Sequence, residues 1–132
     1  MKKGQVLVAV LLIFVILSLV MAGILNILEG NIKKVEAQKG EKQALYLAEG
    51  GAEIAIHSLI WFDLSSGTYT FSGVITQTDF SGRYTTTLFW NNPNFEILSI
   101  GTVDLWTRIL DIEGVRSGVY PYSLTITLWS EE

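Results

Sequence analysis

The chain has 132 residues, 49% of them hydrophobic and 17% charged, with a mean hydropathy of +0.39. A water-soluble domain of this size carries more charge and less apolar surface, so the composition calls for a membrane segment. The absence of cysteine excludes disulfide staples, thiolate metal sites and a cysteine nucleophile together. The net charge of −4 is split: residues 1–62 hold six Lys against five acids, and residues 63–132 hold three Arg against eight acids. An acidic distal part lacks the clustered Lys and Arg that phosphate binding needs, so no nucleic-acid partner is expected there.

Composition changes near residue 62. All seven alanines lie between Ala9 and Ala55, whereas all eleven threonines lie between Thr68 and Thr127. Ala favours helix and Thr fits strands, so the chain reads as a helical half followed by a β half. From Val6 to Leu25 twenty residues run without a charge, and Ile27 and Leu28 extend the run past Asn26. About 20 helical residues cover the ~30 Å hydrocarbon core of a bilayer, which makes 5–28 a transmembrane helix. From Glu29 to Phe62 the pattern turns amphipathic, with Glu29 and Lys33 in the favourable i,i+4 order. No proline interrupts 1–62, and a helix from Gln5 to Phe62 would be roughly 87 Å long. Gly23, Gly30, Gly40 and Gly50–Gly51 are places where such a helix can bend or unwind.

The β half, 63–132, alternates. Tyr69, Phe71 and Ile75 share one face of a first strand, and Tyr84, Thr86, Leu88 and Trp90 one face of a second. Phe95 and Ile97, then Val103, Leu105, Thr107 and Ile109, suggest a third and fourth. Tyr122, Leu124, Ile126 and Leu128 form the last. Turn signals at Asp79–Gly82, Asn91–Asn94, Gly101 and Gly114–Pro121 separate them. About seventy residues make a thin core, and a sheet with one apolar face needs a cover. The adjoining stripe Leu45, Ala48, Ala52, Ile56 and Leu59 is the expected cover. The fold class is therefore α+β: a long N-terminal helix, transmembrane then amphipathic, packed on a small antiparallel sheet.

The N-terminus admits three readings. Val20–Met21–Ala22 is a small-residue site for an ordinary signal peptidase, which would release an exported β-domain. The apolar run is also long enough for a plain single-span anchor, with Lys2 and Lys3 holding the N-terminus inside. Third, Lys2–Lys3–Gly4 followed at once by an uncharged helix resembles the class III leader of type IV pilins and pseudopilins. Two further stretches extend that resemblance. Ala44–Leu45–Tyr46–Leu47–Ala48–Glu49–Gly50–Gly51–Ala52–Glu53 is similar to the "LAEAGIE" stretch of PilX-like minor pilins. Phe95–Glu96–Ile97–Leu98–Ser99–Ile100–Gly101–Thr102, leading to Thr107–Arg108–Ile109–Leu110, is similar to their "Y-x-I-x-S-x-G … R-x-L" strand pair.

The resemblance implies a leader, 1–4, cut between Gly4 and Gln5 by a prepilin peptidase. It also implies a head outside the cytoplasmic membrane and a filament shared with a major pilin and other minor pilins. Ala9 and Gly23 in the span, and Ala44, Ala48 and Ala52 beyond it, are then candidates for packing against membrane or filament neighbours. Major pilins carry a glutamate at the fifth mature position. Counting from Gln5 that position is Ala9, and no acid precedes Glu29. The family analogue is a minor subunit, such as the tip member of a pseudopilus. Gln5 also stands where phenylalanine is usual.

Other motifs have plain alternatives. The small residues Ala44, Ala48, Gly51, Ala52 and Ala55 let helices approach closely, or simply lie against the chain's own sheet. Glu49 and Glu53 form a like-charge i,i+4 pair, suited to a solvated face or to Lys39 and Lys42 of a neighbouring subunit. His57, the single histidine, has no ligand-spaced companion, and Asp104, Asp111 and Glu113 lack EF-hand spacing. No metal and no cofactor is expected. Of four tryptophans, Trp61 suits the helix–head junction, and Trp90 suits either the core or an exposed turn that binds a partner or glycan. No nucleophile elbow, Walker loop, zincin motif or carboxylate pair is present, so the chain does not read as an enzyme. The reading is a structural minor pilin or pseudopilin; the alternative is an anchored or exported β-domain that binds a ligand without polymerising.

Overall fold

The computed structural model describes residues 3–78 and 80–132. Met1 and Lys2 of the expected leader, and Asp79 of the first expected turn, lie outside them. One helix, α1 (Lys3–Trp61), is followed by five strands. These are β1 (Gly67–Thr76), β2 (Ser81–Asn91), β3 (Asn94–Val103), β4 (Trp106–Ser117) and β5 (Ser123–Glu131). The strands form one open antiparallel sheet in chain order. The fold is α+β, as the composition change at residue 62 implies.

The chain divides into two compact units, Met1–Ala37 and Gln38–Glu132. In the first, α1 stands alone: every residue from Gly4 to Glu36 is exposed. None of the expected weak points interrupts the helix, which is continuous through Gly23, Gly30, Gly40 and Gly50–Gly51. In the second unit, the distal part of α1 lies on one face of the sheet. Ala44, Leu47, Ala48, Ala52, Ala55 and Leu59 are buried against Leu88, Trp90, Phe95, Ile97, Val103, Leu110 and Ile112. Each fully buried Leu or Ile here contributes about 1.5–3 kcal/mol.

The cover is rotated from the expected stripe. Ala48, Ala52 and Leu59 face the core as expected, but Leu45 and Ile56 are only half-buried, and Ala44, Leu47, Gly51 and Ala55 take the centre. Small side chains permit this, because they bring the helix backbone down onto the sheet. Gly101 is the closest approach: a Cβ there would overlap the Ala44 carbonyl. The glycine read as a turn is instead a buried position inside β3. The β3–β4 turn falls at Asp104–Leu105, where Asp104 takes φ 51°, a left-handed conformation Asp tolerates.

Two strand readings also change. Val103 closes β3, Leu105 sits in the turn at 95% exposure, and Leu110 and Ile112 are the buried residues of β4. Thr107 and Ile109 therefore lie on the opposite face, one residue out of phase with the expected pattern. In β5 the face Tyr122, Leu124, Ile126 and Leu128 is broken by a bulge. Glu113 pairs with Leu128 while Gly114 pairs with Ile126, leaving Thr127 extra. The shift turns Leu128 to the outer face and Trp129, opposite Ile112, to the helix side.

Candidate membrane anchor and assembly surfaces

From Gly4 to Leu28 the exposed helix carries no charge, and it is long and apolar enough to cross a membrane. Within it, Ser18 Oγ donates to the Phe14 carbonyl at 2.8 Å. Gln5 and Ala9 are exposed, and Gly4 and Gly23 have open space where a side chain would go. The first charges follow at once: Lys33 Nζ sits 2.7 Å from Glu29 Oε1, with both side chains in solvent. Such an exposed pair is worth little to stability. It marks where the helix changes from lipid-compatible to water-compatible.

Ala44, Ala48 and Ala52 are placed differently from Ala9 and Gly23. All three lie buried against the chain's own sheet, so this small-residue face is occupied within the molecule. A polar chain fixes the seat. Ser99 Oγ donates to the Ala48 carbonyl at 2.6 Å, and Thr86 Oγ1 lies 2.7 Å from Ser99 Oγ. With the Ser99 proton committed to Ala48, Thr86 donates to Ser99, and both hydroxyls are satisfied in the core. Gly51 leaves the space these hydroxyls fill.

The charged candidates stay outward. Lys39, Lys42 and Glu53 are exposed and Glu49 is half-buried. Docking of α1 on the sheet instead uses Glu41, which meets Arg108 at 3.0 Å on a half-exposed rim. Near it, Gly40 lets the Trp106 indole lie directly on the helix.

The helix C-terminus is held by residues the sequence did not single out. The last turn of α1 has no basic residue of its own. Arg116 of β4 supplies the cation from across the sheet, its side chain only 7% exposed. Its Nη1 donates to the carbonyls of Leu59 at 3.2 Å and Phe62 at 3.1 Å. Its guanidinium stacks on the rings of Tyr122 at 3.7 Å and Trp90 at 4.4 Å. Asp63 Oδ1 lies 3.6 Å from Nη2 and also accepts from Tyr122 Oη at 3.1 Å. Free carbonyls at a helix C-terminus carry partial negative charge, and a buried guanidinium answers it. Trp90 is thus a core residue, its Nε1 donating to the Leu64 carbonyl at 3.0 Å. The signal available in the sequence was parity: Arg116 follows Ile112 and Gly114 on the inward face, and an inward arginine needs carbonyls or acids.

Around this end, the His57 and Trp61 rings lie 5.9 Å apart, tilted by 31°, and Trp61 meets Tyr120 edge-on at the same distance. Trp61 and Tyr120 remain 46% and 60% exposed. Trp61 sits at the helix–head junction, as its place in the sequence suggests. No family model, curated protein or solved structure matches the chain.

Proposed function

We propose that the chain is a structural subunit, a minor pilin or pseudopilin, of a type IV pilin-like filament or secretion machine. The observation that carries this reading is the contrast along α1. Residues 4–36 have no cover within the chain, yet belong to the same unbroken helix that forms the core of the head. A plain anchor explains residues 4–28, but the exposed Ile32 and Val35 beyond it also need a neighbour. Packing of like helices supplies one. The resemblance of Lys2–Lys3–Gly4, the Ala-Glu-Gly stretch and the Phe95–Leu110 strand pair supports the same assignment.

On this reading a prepilin peptidase cuts between Gly4 and Gln5, and the chain sits as a single pass in the cytoplasmic membrane with the head outside. The major pilin and other minor pilins are its partners. Lys39 and Lys42, exposed on α1, are free to answer Glu49 and Glu53 of a neighbouring subunit. The absence of an acid before Glu29 suits a minor subunit, because no neighbour's terminal amine is then paired at Ala9. The test is the fate of the full chain in cells that make the filament. It is expected in sheared filaments, or in the assembly complex at their base, in small amount beside the major pilin. Its absence from both, with the chain intact in the membrane, would overturn the proposal in favour of a ligand-binding head on a plain anchor.

A further inference from the structure

The sheet has two free edges, β1 and β5, and neither carries the charges that usually keep edges apart. Lys or Pro on an edge strand blocks pairing with another chain. Here the strand charges fall on the inner strands: Arg83 on β2, Glu96 on β3, and Arg108, Asp111, Glu113 and Arg116 on β4. From Leu64 to Thr78, β1 and its flanks have no charge and no proline. In β5 the first charge is Glu131, its last residue.

The two edges are also complementary. The buried core residues of the sheet lie on β2, β3 and β4. On β5, Ile126 and Trp129 share the helix-side face with Gly114 and Ile112, yet remain 44% and 47% exposed. Beside β1 the opposite situation holds. An apolar groove of about 360 Å³ lies open between Tyr46, Gly50 and Ile54 of α1 and Gly73 and Ile75 of the strand. One edge overhangs with uncovered apolar side chains; the other offers an unfilled apolar groove.

Direction selects how these edges meet. Ala44 lies at Gly101, Ala48 at Ser99, and Leu59 at Arg116, which pairs with Leu124, so α1 runs along the strands. Pairing β1 with β1 of a second copy would be antiparallel about a two-fold axis and would set the two distal helices running in opposite directions. Copies anchored in one bilayer keep the same direction. In a five-strand meander β1 and β5 point the same way, so co-directional copies meet β1 to β5 in a parallel pair. We infer that the β1 edge of one copy pairs with the β5 edge of a second copy. The overhanging Ile126 and Trp129 then enter the groove beside Gly50 and Ile54. The shared bilayer in this argument rests on the membrane reading proposed above. The contact is head-to-tail, and such contacts propagate rather than close on a two-fold axis.

The chain has no native cysteine, so paired cysteines report the contact cleanly. Thr68, Thr70, Ser72, Val74 and Thr76 of β1, and Ser123, Thr125 and Ser130 of β5, lie on the outer face, away from α1. Each is changed to Cys in the full chain, singly and in β1/β5 pairs, and oxidised in native membranes. In at least one register, a double variant such as S72C/T125C is expected to give a ladder of dimers, trimers and higher bands. Its two single variants, when mixed, are expected to give dimers only, and each alone to stay monomeric. Dimers from a β1 single variant alone would mean a two-fold β1–β1 contact and would overturn the inference. So would the absence of any ladder across the registers. The filament fraction of the same cells is measured in parallel. No ladder from protein that enters filaments rejects the edge contact alone; a ladder from protein that never enters them rejects the filament reading alone.

Discussion

Residues 4–36 and 38–61 belong to one helix, yet they answer to different surroundings. The proximal part is uncharged as far as Leu28 and exposed on every side throughout, so no face is chosen by its own chain. The distal part is chosen residue by residue: Ala44, Ala48, Ala52 and Ala55 are buried, while Lys42, Tyr46, Glu53 and His57 face out. Glycines show the same difference. Gly23 and Gly30 have nothing within reach of an added side chain, whereas Gly40 and Gly51 lie under Trp106 and the Thr86–Ser99 pair. The lesson is that small residues mean different things on one helix. In the distal part they set the distance to the sheet; in the proximal part nothing within the chain requires them.

The largest test of this contrast places a carboxylate at two depths of the helix–sheet seat. Ala52→Asp buries an unpaired charge at its centre and is expected to cost at least ~3 kcal/mol. Followed by near-ultraviolet circular dichroism of the full chain in detergent, the head should lose its cooperative melt. Ile56→Asp, on the half-buried rim, is expected to lower Tm but keep the transition. Equal loss from both would mean that the helix seats on a different face.

A smaller effect compares two glycines. Gly101→Ala drives a Cβ into the Ala44 carbonyl and is expected to cost about 2–3 kcal/mol, because helix and strand must separate. At about 4–8 °C per kcal/mol for a domain near this size, the drop in Tm is large. Gly23→Ala in the open proximal helix is expected to leave the head's Tm unchanged. A fall in Tm with Gly23→Ala would break the contrast.

Third comes Arg116→Met, which keeps the length of the side chain but removes the donors to Leu59 and Phe62. Hydrogen bonds from charged groups are worth about 1.5–3 kcal/mol, so a loss of about 2 kcal/mol is expected in the same melt. An unchanged Tm would show that water caps the helix as well as the guanidinium does.

Much of this was legible in the sequence. The Ala-to-Thr change at residue 62 located the boundary between helix and sheet, and alternation named the inward faces of β1, β2 and the start of β3. What failed did so for definable reasons. Gly101 carries the same letter whether it turns the chain or lets a helix approach, and only the distance to Ala44 separates the two. The β4 phase slipped because the turn at Asp104–Leu105 was hidden among apolar residues, so Val103 and Leu105 read as one strand. The β5 bulge leaves no mark in an alternating run of Leu, Thr and Ile. Arg116 was passed over because its partners are backbone carbonyls, which have no letter in the sequence. The filament-packing candidates divided by location: Ala9 and Gly23 remain on open helix, while Ala44, Ala48 and Ala52 belong to the head's own core.

The central claim, a pilin-like subunit, is tested most directly by the N-terminal sequence of the mature protein from native membranes. The expected start is Gln5, with Gly4→Ala leaving the chain membrane-bound and uncut. A start at Met1 unaffected by that substitution, or a start at Gly23, would contradict the account and leave a plain anchor or an exported domain in its place.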